Sequence, residues 1–212
     1  MNFLRRHWYD IGGILGMLTL IMVLTFLRYL SHYQLLMWLS LISLFFHQVE
    51  EYRLVGTFPG MVNHIMFNSQ LPDRYPLNTN TAFIINVIIG WATYITAAII
   101  GKHAMWLGMA TMLVSLGNII AHMFVFNIKG KTWFNAGMVS SLIFFVPCVY
   151  GYYNLVVARH MASFSDYLIG IPLGILLNIV GIFKLISWLA DKNTHYIFSQ
   201  RQLLAKDRVG KA

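Results

Sequence analysis

Glutamate occurs at only two positions in the chain, 50 and 51, three and four residues after His47. At about 100° per residue, His47, Glu50 and Glu51 share one arc of a helix. Ser40 and Ser43 extend that arc toward the helix N-terminus. A second stripe, Thr111, Ser115, Asn118 and His122, follows at steps of four, three and four, and Asn86 with Thr93 makes a third. Imidazole and carboxylate with an open position are the ligands of catalytic zinc, or of iron where the chemistry is oxidative. Two glutamates are too few for a carboxylate-bridged dinuclear bundle site, so a single divalent metal is expected, zinc ahead of iron. The expected ligands are His47, Glu50 and His122. Glu51 is expected as general base toward a water, and the two glutamates together are the catalytic candidates. Glu50 takes the ligand role because a one-turn His/Glu pairing recurs in bundle metal sites. Asn86 and Asn118 are expected to orient ligands or substrate. Arg53 is the nearest cation to the glutamates, and His64 sits in a loop long enough to fold over them.

These groups must sit inside a membrane. Of 212 residues, 58% are apolar and 10% charged, against about 25% charged in soluble domains. The mean hydropathy is +0.64. Disorder, coiled coil, collagen and a disulfide scaffold are excluded by the same composition, and a single cysteine, Cys148, cannot bridge within the chain. The apolar runs are long and continuous, which selects helices over barrel strands. An all-α polytopic membrane bundle of about six transmembrane helices is expected, near 11–30, 34–53, 81–101, 104–126, 136–158 and 167–190. A basic tail over 191–212 completes a single integral membrane domain, 1–212. The run after Arg5 and Arg6 imitates a signal peptide but lacks a cleavage site, so it reads as an uncleaved first helix. Six spans place both termini on one side, and that side collects eleven of the lysines and arginines against three on the other. The bias puts both termini in the cytoplasm. The second span reaches full length only by including His47, Glu50 and Glu51. A charge near mid-bilayer costs about 2.5–3.5 kcal/mol, so intramembrane acids are functional candidates. The net charge of +8 fits topology and anionic-lipid contact; no basic segment carries a nucleic-acid motif, so membrane lipid is the partner and nucleic acid is not. Gly12/Gly16 and Gly170/Gly174 are spaced for close helix approach.

His47-Gln48-Val49-Glu50-Glu51 resembles the defining motif of the HXXEE family of small bacterial membrane proteins. That family is recognised also by a second histidine, which His122 matches, and by a Tyr-x-Pro-Gly motif. Phe134-Asn135-Ala136-Gly137 matches the latter with phenylalanine for tyrosine and alanine for proline, so glycine is the shared element. Phe58-Pro59-Gly60 and Phe83-Ile84-Ile85-Asn86-Val87 add to the likeness, which runs from the second helix to the fifth. The resemblance implies a bacterial inner (plasma) membrane location and assigns no chemistry.

The first functional expectation is therefore a membrane-embedded metal-dependent enzyme, hydrolytic, acting on a lipid or amphipathic substrate at the cytoplasmic leaflet. A non-metal His/Glu proton-transfer enzyme of isomerase type is one alternative. A small proton-coupled transporter is another, disfavoured because no inverted repeat or paired broken helices are evident. The oligomeric state is not legible.

Overall fold

The computed structural model describes residues 2–208, which are helical with no strand among them. Six long helices and one short one follow in order: α1 (Asn2–Phe26), α2 (32–54), α3 (58–66), α4 (79–100), α5 (105–130), α6 (Met138–Val157) and α7 (Phe164–Trp188). The starts are written in the sequence. Ser31 caps α2 in a reciprocal box with Gln34, Asn78 accepts from the amides of Asn80 and Thr81 at α4, and Ser163 boxes with Asp166 at α7. Each satisfies donors that a helix N-terminus leaves open. Gly101, at φ +60°, reverses the chain between α4 and α5, a conformation glycine adopts at little cost.

The first helix begins at Asn2, upstream of the expected Ile11, because its polar opening turns have partners. Arg5 Nε donates to Asn80 Oδ1 at 2.7 Å, and Asp10 pairs with Arg53. Four helical stretches are long and apolar enough to cross a membrane: Asn2–Tyr29, Thr79–Gly130, Met138–Val157 and Phe164–Trp188. The second of these, 52 residues long, is the α4–α5 hairpin. Leu18, Ile21, Leu24, Leu168 and Ile175 stand exposed on the outside, an apolar surface that marks a membrane protein. Helix α2 is not among the four, because it carries the polar arc. It is instead the centre of the bundle, its side chains buried against α1, α4, α5 and α6.

One end of the bundle gathers the C-termini of α2 and α5 and the N-termini of α1, α4 and α6. Residues 55–78 and 189–208 close that end. The Asn63 side chain, fully buried, donates to the carbonyls of Pro72 and Leu77 and accepts from the Leu77 amide. The Phe198 amide donates to Asp73 O at 2.8 Å and the Thr79 amide to Tyr196 O at 3.1 Å. A Cβ on Gly60 would lie 2.8 Å from Leu203 Cα, so only glycine lets the two segments touch. The tail expected as a basic extension over 191–212 is thus folded onto the bundle through 208; residues 209–212 lie outside the described residues.

Candidate metal centre

His47 and His122 meet face to edge at the closed end, ring centroids 4.9 Å apart and planes at 87°. Between them lies Glu51. Its Oε1 is 3.5 Å from His47 Nε2 and 3.2 Å from His122 Nε2. All three residues are buried, His47 at 2% exposure, Glu51 at 4% and His122 at 0%. One ligand atom from each lies within 4.8 Å of the others, so the group can hold a metal ion. The four-residue step from His47 to Glu51 puts both on one face of α2. His122 arrives from the last turns of α5.

The outer contacts of the two imidazoles run through Nδ1. Asn135 Nδ2 donates to His122 O and to Asn127 Oδ1, each at 2.7 Å. Its Oδ1 therefore faces His122 Nδ1, at 2.7 Å. An amide oxygen only accepts, so Nδ1 carries a proton and Nε2 is the atom turned to Glu51. The Ser140 hydroxyl lies 2.9 Å from His47 Nδ1 and 3.3 Å from Gly137 O. Among the described residues neither Nε2 has a hydrogen-bond partner. Two imidazole nitrogens and a carboxylate oxygen thus converge on one buried point. Buried polar atoms are rarely left so, and an outer hydrogen bond on Nδ1 is the usual companion of a metal-ligating histidine.

Glu50, expected as the third ligand, points elsewhere. Its Oε1 accepts from the Val139 amide at 3.2 Å and its Oε2 from the Ser140 amide at 2.6 Å. Adjacent residues on a helix project about 100° apart, and the first turn of α6 lies on the Glu50 side. The free amides of that turn favour a carboxylate. Arg53 is not at the centre either: it pairs with Asp10, and its carbonyl accepts from Arg201. His64 turns to the tail, Nδ1 at 2.9 Å from Asp207 Oδ1. The loop does reach the centre, but through Phe58, whose ring lies 5.7 Å from that of His122.

Asn86 and Asn118 line a cavity of about 90 Å³ together with His47, Gln48, Glu51 and Tyr52; one water needs about 10–15 Å³. Asn86 accepts from Gln48 Nε2 at 3.0 Å, and Gln48 Oε1 accepts from Trp91 Nε1 at 2.8 Å. The rest of the wall is mostly apolar, with Ile89 of α4, Val114 of α5 and Leu177 and Ile182 of α7 among its residues. The cavity is polar at the histidine end and apolar beyond it. The outer parts of the polar stripes act as interhelical bonds instead. Tyr94 OH bonds Thr111 O and Ser115 Oγ, each at 2.9 Å, and Ser43 lies 3.4 Å from Cys148.

Sequence reasoning missed Ser140 and the orienting role of Asn135. Asn135 stood inside the quoted Phe134–Gly137 stretch, whereas Ser140 carries no local signal. Gly137, at φ +102°, is where α6 begins, and a Cβ there would collide with the His122 ring. The helices that bring these groups together carry π turns at 50–54, 84–91, 121–125 and 141–145. Such turns gather at functional sites, though here they occur also at 62–66, 153–157 and 179–184.

A family model described as "Protein of unknown function with HXXEE motif" matches residues 38–152. No curated protein and no solved structure matches the chain.

Proposed function

Because the chain belongs to the HXXEE family, whose motif supplies two of the three convergent side chains, we propose that it is a membrane-embedded metalloenzyme. A single divalent ion, zinc, is held by His47, Glu51 and His122. The reaction is hydrolysis of a lipid or other amphipathic substrate. The observation that carries this reading is the convergence of two buried imidazole nitrogens on one Glu51 oxygen. Tetrahedral ligands at about 2.0–2.1 Å from zinc stand about 3.3–3.4 Å from one another. The two imidazole nitrogens stand 3.5 and 3.2 Å from Glu51 Oε1. A proton shared between a carboxylate and an imidazole draws them to about 2.7–2.9 Å. The gap is sized for an ion, which favours the metal over the proton-transfer alternative.

When bound, the ion supplies Lewis-acid polarisation of a carbonyl or phosphoryl oxygen. The chain's own groups do the remainder. Glu51 meets both imidazoles through Oε1, which leaves Oε2 to take a proton from the attacking water. Glu51 thus combines the ligand and base roles that the spacing alone divides between two residues. Asn86 and Asn118 face the substrate's polar group, and the apolar reach of the cavity takes its chain. Helix α2 counts as a span in this reading, shielded from lipid by its neighbours, which makes six. The site then lies at the cytoplasmic leaflet of a bacterial inner membrane, with both termini on that side, as the lysine and arginine bias directs.

Elemental analysis of the protein purified in detergent tests the reading. About one equivalent of zinc per chain is expected, falling to about a tenth or less in His47→Ala, His122→Ala and Glu51→Gln. A wild type that takes up neither zinc, iron nor manganese when offered them overturns it. The same cluster then serves proton transfer, in an isomerase-type enzyme or a proton-coupled carrier.

A further inference from the structure

The two adjacent glutamates do different work, and the second task has a mechanical consequence. Glu50 holds the amides of Val139 and Ser140. Those residues open α6, and the short stretch leading into it touches both histidines. Asn135 accepts from His122 Nδ1, Gly137 passes over the His122 ring, and the Ser140 hydroxyl lies 2.9 Å from His47 Nδ1. The stretch is tied internally by the Ser140 hydroxyl on Gly137 O and by the Met138 amide on Asn135 O at 3.2 Å. A contact loop therefore closes from Glu50 to Ser140 and back to His47, one turn before Glu50 on the same helix. Every member is buried: Glu50 at 6% exposure, Asn135 at 5% and Ser140 at 3%.

The geometry points to Glu50 as a positioning residue that sets both imidazoles through residues 135–140. It does not touch the ion. It holds the turn that keeps both Nε2 atoms aimed at Glu51. The inference rests on the metal-centre reading. Losing an outer hydrogen bond to a ligating histidine costs about 10–100-fold in metal affinity, and Glu50 governs the placement of the turn that makes two such bonds.

The test measures affinity in folded, detergent-purified protein by chelator competition with zinc. The absorption spectrum of the cobalt-loaded protein gives a second readout. Glu50→Gln keeps the side-chain length but sets an amide group against backbone amides. It is expected to weaken zinc binding about 10–100-fold and to shift the cobalt bands. Ser140→Ala is expected to weaken binding about tenfold or more. The double variant is expected to fall short of the product of the two factors, because the Ser140 contact to His47 is one of the two contacts that Glu50 holds. A purely structural cap predicts a lower melting temperature in Glu50→Gln with unchanged affinity and cobalt spectrum per folded molecule; that result overturns the inference, as does strict multiplicativity. If Glu50→Gln does not fold, Ser140→Ala decides alone, and wild-type affinity in it sinks the relay. A wild type that binds neither zinc nor cobalt removes the centre itself and this role with it, an outcome distinct from a wild type that binds while both variants bind equally well.

Discussion

Replacing Gly137 by alanine adds one methyl group outside the ligand set, yet it should cost the centre as well as the fold. Gly137 sits at φ +102°, where an L side chain is strained by about 1–2 kcal/mol. The new Cβ would collide with the His122 imidazole, which is fully buried with the rings of Phe58 and Phe126 5.7 and 5.0 Å away. The ring must move, and moving it strains or breaks the 2.7 Å bond to Asn135. A buried polar group left unpaired costs about 1–3 kcal/mol. The sum is about 2–5 kcal/mol, below the about 5–15 kcal/mol that holds a typical domain, so the variant should fold and melt early. Zinc affinity should fall by more than tenfold, since His122 Nε2 no longer points at Glu51 Oε1. Thermal melts with and without chelator, beside zinc competition, read both effects. Gly151→Ala is the control. Its Cβ would meet only the end of the Leu36 side chain, at 3.2 Å, and its melt should stay within about 1 kcal/mol of wild type, helped by alanine's helix propensity. Wild-type zinc affinity in Gly137→Ala, with stability within about 0.5 kcal/mol, would refute the claim that this turn shapes the site.

Two further outcomes follow from groups that the structure places outside the centre. His64→Ala should leave zinc binding unchanged and speed amide exchange in residues 199–208, because its contact is with Asp207 in the tail; lost zinc would bring His64 back to the site. Tyr94→Phe removes a hydroxyl bonded to Thr111 O and Ser115 Oγ, and should cost about 0.6–2 kcal/mol in a detergent melt with metal content intact.

The helices were legible because run length and polar spacing are local properties. His47 and His122 were legible as a pair because helix direction alone brings their turns to one end of the bundle. The roles of Glu50 and Glu51 were not. On a helix they flank His47 at about 60° and 40° on opposite sides, and nothing local says which side will face α5 and which α6. That choice belongs to tertiary packing: α6 arrives beside Glu50 and offers it two free amides. The early start of α1 was hidden for a similar reason. Arg5 and Asp10 look like flanking charges until Asn80 and Arg53, distant in sequence, come to meet them. Arg53 looked like a partner for the glutamates because proximity along the chain favoured it, but the helix carries it round to the α1 side.

The matched segment, 38–152, contains His47, Glu51 and His122 and the whole 135–140 turn that orients the imidazoles. The far wall of the cavity does not come from it. Leu177, Gly181, Ile182 and Ile186 all belong to α7. That helix is seated on α5 by Gly170 and Gly174, where an added Cβ would stand 2.6 Å from Trp106 O and 2.7 Å from Leu113 Cβ. Close approach at these two glycines brings α7 near enough for Asn178 to donate to Leu113 O at 3.2 Å, and the same helix reaches the cavity at its later turns. The segment that defines the family therefore carries the His/Glu cluster, while the cavity beside it is completed by a helix beyond it. In the reading proposed here, ligand geometry and substrate reach are separable: the 47–140 framework sets the first, and the seating of α7 on α5 sets the second without touching either histidine's outer contacts.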